Sequence, residues 1–240
     1  MTQPSSELTT YERERSERLN RWRKPLVTSR DRWGAWANMM LSDHGFIRLV
    51  YLNQHQISPN AWRSAQPAPW DIRKLERKGL KSVINLRGGQ SYGSLPLERE
   101  VCEDLGIHFE VFVLRSRALP AVEDVLAAKA LFERLEYPVL FHCKSGADRA
   151  GMMCALFLAI QEGVPVSIAR EQLGPRYGHI RHGKTGVLDK MFDAYLADQP
   201  DEAMPLIEWV ENHYDPERLT ADFKPSGLGS FVTETLLRRE

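Results

Sequence analysis

The sequence predicts an α/β domain in which helices flank a central, mainly parallel sheet. Three observations support this fold class. From Asn60 onward, short β-rich runs alternate with segments whose apolar residues recur at helical spacing. The β-rich runs begin or end near Gly or Pro, as in KSVINLRGG, HFEVFV and PVLFH. The chain has 240 residues, 42% of them hydrophobic, which is enough to bury a sizeable core. Strands that alternate with helices of this length favour a parallel sheet.

The first elements lie in an aromatic segment that follows a charged lead. Trp33, Trp36 and Met40 recur at helical spacing and predict an extra N-terminal helix, which ends before Gly45. The apolar run from Ile47 to Leu52 then predicts the first strand.

The remaining elements follow in order. Apolar spacing predicts helices over 70–78, 95–105, 121–135, 150–160, 165–173 and 188–196, and a last helix that begins at 205. Strands are predicted within KSVINLRGG, over 108–113 and over 138–142. We expect residues 1–30 to be a flexible charged lead and 31–214 to be one domain. Residues 215–240 are expected to form a tail.

Composition limits the classes of function. The 32 Lys and Arg balance the 32 Asp and Glu, so nothing in the overall charge favours nucleic acid, and any anion site must be local. The three cysteines are too few for a disulfide framework and too scattered for a metal cluster, which favours free thiols. With no secretory signal pattern near the start, we expect a cytoplasmic protein.

The motif that carries chemistry is PVLFHCKSGADRAG, residues 138–151. Cys143 and Arg149 are separated by five residues and lie between an apolar strand and an apolar helix. In such a turn, backbone N–H groups and the positive end of the helix favour a phosphate-sized anion. The predicted phosphate-binding residues are Lys144, Ser145, Gly146, Ala147, Asp148 and Arg149.

Three residues of this motif, and Arg63 outside it, have expected roles. A helix N-terminus with a neighbouring cation favours the reactive thiolate of a cysteine, so Cys143 is the expected nucleophile. Arg149 would bind two phosphate oxygens through its planar fork. We expect His142 to hydrogen-bond near the thiolate. Arg63, in the run AWRSAQP, is interpreted as a structural ion-pair partner.

The run HCKSGADRAG resembles the His-Cys, five residues, Arg signature of the tyrosine and dual-specificity phosphatases. AWRSAQP and GLKSVINLRG look like early strands of the atypical, bacterial-type dual-specificity branch. The resemblance covers about residues 45–200. It implies a phosphatase-type loop, attack by Cys143, a phosphocysteine intermediate and hydrolysis by water, without metal or organic cofactor.

The sequence departs from this family pattern at two positions. The family usually has Ser or Thr directly after the arginine, where this chain has Ala150. The loop that usually carries a general-acid Asp reads VLRSRALP, without a carboxylate. We therefore consider Asp148 first and Asp124 second as the catalytic acid.

Substrate contacts remain open between several groups. Arg115, Arg117, Arg181 and Lys184 are candidates for the substrate rim, or are solvated loop charges. They suit a phosphorylated protein or a phosphorylated lipid or polyol. The segment Trp33–Leu41 is expected to be core, with peripheral membrane contact as the alternative. GHIRHGKT, residues 178–185, matches a nucleotide-binding pattern, but no β-rich run precedes it, so we interpret the match as chance.

Three functions compete at this stage. The first is a cysteine-dependent phosphatase acting on phosphomonoesters. The second is a pseudophosphatase that binds phosphate but lacks an effective acid. The third is a sulfurtransferase, since those enzymes also place a loop cysteine before a helix and need no general acid.

Overall fold

The computed structural model describes residues 21–87 and 92–224. Within this part of the chain, one sheet has the strand order β1-β2-β5-β3-β4. β1 pairs with β2 in the antiparallel sense, and the other three pairs are parallel. The α/β fold class is thus confirmed. The strands are His55–Ser58 (β1), Ala61–Ser64 (β2), Ser82–Asn85 (β3), His108–Val111 (β4) and Val139–His142 (β5).

Helices connect and cover these strands. The α-helices are Ser29–Ala37 (α1), Gly45–Arg48 (α2), Pro69–Glu76 (α3), Ser94–Asp104 (α4), Val122–Arg134 (α5), Asp148–Leu156 (α6), Val166–Ala169 (α7), Asp189–Asp198 (α8), Leu206–Asn212 (α9) and Pro216–Ala221 (α10). A π-helical turn extends α1 over Asn38–Ser42, and another extends α6 over Phe157–Gln161. Short 3-10 helices cover Arg21–Arg23, Arg170–Leu173, Pro175–Tyr177 and Lys184–Leu188.

Across residues 21–87 and 92–224, no helix combines the length and the apolar character that crossing a bilayer requires.

The sheet register brings three strand ends to one edge. Ser64 at the end of β2 and Asn85 at the end of β3 both lie opposite His142, the last residue of β5. Because these strands are parallel, the segments that follow them emerge side by side. Ligands of parallel sheets bind at such carboxyl ends, so this edge is where a site is expected.

The two faces of the sheet bury separate apolar clusters. Val83 and Leu140 pack on one face with residues of α3 and α4, including Ile72 and Val101. Neighbouring strand residues such as Phe141 point to the other face, where α5 and α6 form the larger cluster. This alternation follows from the two-residue period of a strand. Because Ser64, Asn85 and His142 lie opposite one another in the register, their side chains share one face of the sheet.

The prediction of a first strand over Ile47–Leu52 is wrong. The run begins inside the short helix α2 and continues as an unpaired segment, and the first strand starts at His55. The Arg48 guanidinium donates to the Asp43 carbonyl (2.8 Å) and carboxylate (2.9 Å), which closes a compact turn. An apolar run alone does not distinguish a strand from a turn when no neighbouring strand pairs with it.

The structure describes part of the predicted lead and part of the predicted tail. Residues 1–20 and the final FVTETLLRRE run lie outside the described residues. In the predicted lead, Trp22 packs into a small cluster with Met39 and Leu97. In the predicted tail, Asp215 caps α10 by accepting from the Arg218 amide (2.9 Å). The boundaries at residues 31 and 214 stay predictions.

We predict that Gly151→Ala destabilises the protein by about 1–3 kcal/mol, because a Cβ overpacks α6 against the next segment. The added Cβ would lie 2.6 Å from the Gln172 carbonyl oxygen and 2.9 Å from Leu173 Cδ2. Gly34→Ala is the matched control, since a Cβ at this helical position has its nearest neighbour at 3.7 Å. Urea unfolding measures both, and equal stabilities of the two variants would contradict the prediction.

Candidate active site

Four successive carbonyl groups of the loop after β5 accept hydrogen bonds from outside the loop. This loop, residues 143–149, is called the phosphate loop below. The donors come from β2, from the segment after β2 and from the segment before β1. The bonds are Gln66 N to Lys144 O (3.3 Å), Asn53 Nδ2 to Ser145 O (3.0 Å), Arg63 Nη2 to Gly146 O (2.6 Å) and Arg63 Nη2 to Ala147 O (3.1 Å).

These bonds decide where the loop amides point. In a trans peptide the N–H is opposed to the preceding C=O. When the carbonyls of residues 144–147 are held outward, the amides of residues 145–148 face the inside of the turn. The N-terminus of α6 begins at Asp148 and adds its partial positive charge to the same space. The loop therefore forms a concave, electropositive site for an anion.

Gly146 is required by this geometry. Its φ angle is 71°, in the left-handed region, where residues with a Cβ are disfavoured. A Cβ at this position would lie 2.6 Å from the Ala65 amide nitrogen and 2.6 Å from the Ser64 carbonyl carbon. Only glycine lets the phosphate loop approach the end of β2 this closely.

Arg63 holds the loop from the side of β2. Its side chain is fully buried, and burial lowers the pKa of its guanidinium. Besides the bonds from Nη2 to the loop, Arg63 Nη1 donates to the Gln172 carbonyl (2.7 Å) and to the Gln172 side-chain oxygen (2.8 Å). The guanidinium carbon lies 3.8 Å from the centre of the Tyr177 ring. The predicted ion-pair role is therefore corrected, because the acceptors are carbonyl and amide oxygens. Arg63 thus orients the loop through its carbonyl groups, and none of these acceptors adds a negative charge near the loop.

The predicted nucleophile and phosphate clamp lie at the two ends of the phosphate loop. Cys143 follows β5 directly, and its amide donates to the Ser64 carbonyl (3.4 Å). Arg149 lies in the first turn of α6. Both residues are nearly buried, Cys143 being 2% and Arg149 8% exposed. The two residues that the sequence motif singles out thus occupy buried positions at the two ends of one loop.

His142 contacts a carboxylate behind the loop. Its Nε2 lies 2.6 Å from Glu98 Oε1, and both side chains are fully buried. Glu98 Oε2 also accepts from Gln66 Nε2 (3.1 Å) and Asn85 Nδ2 (2.8 Å). We predicted a contact near the thiolate; the structure places Nε2 of the ring against α4. Glu98 thereby ties together the ends of β2, β3 and β5.

Asp148 belongs to a second buried carboxylate and histidine cluster. His179 Nδ1 lies 2.7 Å from Asp148 Oδ1, and His179 Nε2 lies 2.8 Å from Asp189 Oδ2. Burial alone would lower the pKa of His179, but the hydrogen bonds to Asp148 and Asp189 outweigh it and raise that pKa to about 9. The Asp148 carboxylate therefore accepts a hydrogen bond from a charged imidazole ring. The residue predicted first as the acid is therefore already engaged.

Asp124, the second candidate acid, caps a helix. Its carboxylate accepts from the Ala121 amide (3.0 Å), which closes the first turn of α5. The Asp124 side chain is exposed, as is that of Glu123. The structure thus gives Asp124 a structural role and leaves it accessible to solvent.

The predicted rim residues are all exposed but lie on different segments. Arg115 and Arg117 lie between β4 and α5, where Leu114 and Leu119 are buried. Arg181 forms an ion pair with Asp193 of α8. Lys184 begins a 3-10 helix, and the run 178–185 follows the 3-10 turn Pro175–Tyr177. In the described part of the chain, this 3-10 turn and not a strand leads directly into the run, which agrees with a chance match to the nucleotide-binding pattern.

An ion network near Lys144 was not predicted. Arg87, just after β3, donates two hydrogen bonds to Asp43 (2.8 and 2.7 Å) and lies 4.8 Å from the centre of the Tyr92 ring. Lys144 Nζ lies 6.0 Å from that ring. Burial would raise the pKa of Asp43, but Arg87 and Arg48 outweigh it and hold that pKa below its usual value. The position of Arg87 at the end of a strand, in the run NLRGG, was a signal for a functional arginine. Its ion-pair partner Asp43 could not be predicted, because it lies 44 residues earlier in the chain.

Comparison with known proteins gives matches over this part of the chain. The model of the tyrosine phosphatase family matches residues 53–215. The dual specificity protein phosphatase TpbA of Pseudomonas aeruginosa is 27% identical over 143 residues, which are 60% of this chain and 60% of TpbA. OCA1 of Mycosarcoma maydis, provisionally named a tyrosine-protein phosphatase, is 32% identical over 114 residues, 45% of this chain and 70% of OCA1.

Among solved structures, that of P. aeruginosa TpbA covers 71% of this chain and 89% of its own, with 18% identity and a TM-score of 0.45. In the sequence comparison, the match spans 60% of the length of TpbA, which is less than two thirds. The family match contains the whole sheet from β1 to β5, and the phosphate loop.

We predict that Arg63→Lys weakens anion binding, because an ammonium group cannot hold two loop carbonyls and Gln172 at once. Inorganic phosphate should bind at least about tenfold more weakly by calorimetry, with a stability loss of about 1–3 kcal/mol. Arg73→Lys is the control, because Arg73 pairs with Asp104 at the surface. Phosphate affinity equal to that of the wild type would show that Arg63 does not orient the loop.

We predict that His179 makes stability depend on pH. Its ordinary pKa is 6.5 and its folded value about 9, so its contribution is complete below pH 6.5 and is lost as the pH rises through 9. A rise of this size corresponds to at most about 3 kcal/mol. The difference in unfolding free energy between wild type and His179→Gln should therefore shrink between pH 6 and pH 10.

The control is His213→Gln, which changes an exposed histidine. A difference between wild type and His179→Gln that stays constant across this range would contradict the assignment of His179 as an imidazolium.

Proposed function

The chain belongs to the tyrosine phosphatase family, and we propose that it is a cysteine-dependent hydrolase of phosphoric monoesters. The observation that carries this proposal is the phosphate loop, whose amides face inward between Cys143 and Arg149. The shape of the loop suits a tetrahedral dianion, and Cys143 lies at the start of the same loop. Family membership supports the same reaction class.

In the proposed reaction, the Cys143 sulfur attacks phosphorus while the bond to the ester oxygen breaks. The leaving oxygen takes a proton from an acid, and phosphate remains bound to sulfur. Water then cleaves the P–S bond and releases inorganic phosphate. The loop amides and Arg149 stabilise the equatorial oxygens in both steps, as fixed dipoles aimed at developing charge do.

We propose the Asp148–His179 pair, rather than the Asp148 carboxyl alone, as the first candidate for the acid. The two groups share a hydrogen bond of 2.7 Å, so a proton leaving this site belongs to the pair. Asp124 is the second candidate, since its exposed carboxylate opens the helix that follows the VLRSRALP loop. Neither candidate requires a metal or an organic cofactor.

The proposed substrates are phosphorylated proteins carrying phosphotyrosine or phosphoserine, and phosphorylated lipids or polyols. TpbA is named a dual specificity protein phosphatase, which supports the first class. The exposed Arg115 and Arg117 support substrates with more than one phosphate. We also propose a cytoplasmic location, because the three cysteines are free and Cys143 must stay reduced to react.

The direct test is hydrolysis of an aryl phosphate by wild type and by Cys143→Ser. We expect the variant to lose activity by a factor of at least about 10³, because a serine hydroxyl is not ionised near neutral pH. Arg149→Lys should retain a small part of the activity, since a point charge replaces a planar fork. Rapid quenching should trap phosphate on Cys143. Activity of Cys143→Ser equal to that of the wild type would exclude the proposed nucleophile.

A phosphate-binding pseudophosphatase is the second candidate, and one feature of the site favours it. Ala150 is fully buried directly after Arg149, so this position lacks the hydroxyl that the family usually has there to assist the sulfur as leaving group. The pseudophosphatase would bind phosphate tightly with negligible turnover of alkyl phosphates. Efficient turnover of an alkyl phosphate by wild type would remove this candidate.

We predict that Ala150→Ser increases the rate at which the phosphocysteine is hydrolysed. Proton donation or hydrogen bonding to a leaving atom typically contributes a factor of about 10² or more, so even a poorly placed hydroxyl should give several-fold. Single-turnover kinetics separate this step from the first. The control is Ala155→Ser, which adds the same hydroxyl about one and a half turns further along α6 at a position that is also fully buried. An equal hydrolysis rate in wild type and Ala150→Ser would contradict the prediction.

A further inference from the structure

One short segment holds most of the exposed large hydrophobic residues. Of the eleven such residues in the described part of the chain, eight lie between residues 27 and 51. Val50 is 92% exposed and Trp33 77% exposed. A folded domain in water rarely exposes so many apolar residues in one place unless they bind something. The eight are Val27, Trp33, Leu41, Phe46, Ile47, Leu49, Val50 and Tyr51.

Several of the exposed residues line three depressions that share walls. Trp33 borders a groove of about 570 Å³ whose other walls include Trp36 and Trp70, stacked with ring centres 5.1 Å apart. Trp33 also borders a second depression that contains Val27. Trp70 also borders a third depression, which reaches Leu49. These shared walls join α1, α2 and the start of α3 into what we call the apolar surface, residues 27–51 with Trp70.

The charges around the apolar surface favour an anionic partner. Residues 21–51 contain six Lys or Arg but only two Asp, although the whole chain is neutral. Two of the six are paired, Arg32 with Glu100 and Arg48 with Asp43. Of the two carboxylates, Asp31 caps α1 and Asp43 is buried against Arg87. Lys24 and Arg30 are exposed and line the depression next to Trp33. Exposed tryptophan and aliphatic residues beside cations are typical of segments that lie in the interface of an anionic bilayer.

A second copy of the chain is a less suitable partner. A two-fold dimer through this surface would bring the same cationic residues of both copies close together. Such repulsion opposes association, whereas anionic lipid attracts each exposed cation by about 1 kcal/mol.

The apolar surface is joined to the phosphate loop through a short path. The Tyr51 hydroxyl donates to the Asn53 side-chain oxygen (3.2 Å), and the Asn53 amide group donates to the Ser145 carbonyl (3.0 Å). The Ala65 amide donates to the Leu52 carbonyl (2.8 Å). Insertion of the apolar surface into a membrane would therefore bring the phosphate loop close to the lipid headgroups.

We propose that the apolar surface binds anionic membranes and holds the phosphate loop beside the bilayer. Binding itself does not depend on the proposed phosphatase activity. The Cys143→Ser protein is therefore a suitable sample, because any lipid phosphate remains intact.

The test is sedimentation of Cys143→Ser with vesicles of phosphatidylcholine, with and without phosphatidylserine. We expect binding that requires phosphatidylserine, weakens with added salt and shifts tryptophan fluorescence to shorter wavelength. Adding Trp33→Ser, Leu41→Ser and Val50→Ser together should reduce binding at least about tenfold, because three apolar side chains no longer leave water. The matched control is Val113→Ser with Ile168→Ser, two residues exposed by 57% and 55% on other segments.

Several results would overturn this proposal. They are absence of binding to phosphatidylserine vesicles, unchanged binding of the triple variant, and an equal loss in the control variant. A wild-type dimer that the triple variant converts to monomers would assign the surface to a second copy instead. With Cys143 present, the triple variant should hydrolyse a soluble aryl phosphate at the wild-type rate. Failure of the membrane proposal would then leave the proposed hydrolase activity intact.

Discussion

The outward orientation of four loop carbonyls is the constraint on which the candidate site depends. The loop amides face an anion when the carbonyl groups of the same peptide units point away and accept hydrogen bonds from other segments. In this chain the donors to those carbonyls are Gln66, Asn53 and Arg63. Arg63 satisfies two of the four, and it does so from the strand adjacent to β5. The shape of the phosphate loop therefore depends on the parallel pairing of β2 and β5, because this pairing puts Arg63 beside the loop.

The site requires several buried polar groups, and each has neighbours in the protein that stabilise it. Arg63 has carbonyl partners and an aromatic ring, Glu98 has His142 and two amides, and His179 has two carboxylates. Removing one partner from such a group typically costs about 3–5 kcal/mol. These clusters lie on both sides of the phosphate loop, so they hold its shape. The apolar surface, by contrast, lies at the periphery and reaches the loop through Tyr51 and Asn53.

The sequence predicted what is encoded locally. The alternation of strands and helices, the loop between β5 and α6, and the pair Cys143 and Arg149 follow from patterns within a few residues. The contacts of Asp148, His142 and Arg63 could not be predicted in this way, because their partners lie 31, 44 and 109 residues away along the chain. The run Ile47–Leu52 was misassigned because its apolar residues face solvent, whereas hydrophobic patterns assume burial.

A crystal structure with bound tungstate would test the central claim most directly. Tungstate has the shape and charge of phosphate, so the account predicts its oxygens within about 3.2 Å of the amide nitrogens of residues 145–148. It also predicts two contacts from the Arg149 guanidinium, with the Cys143 sulfur beneath the metal atom. An anion bound elsewhere, or a loop whose carbonyls turn toward the anion, would contradict the account.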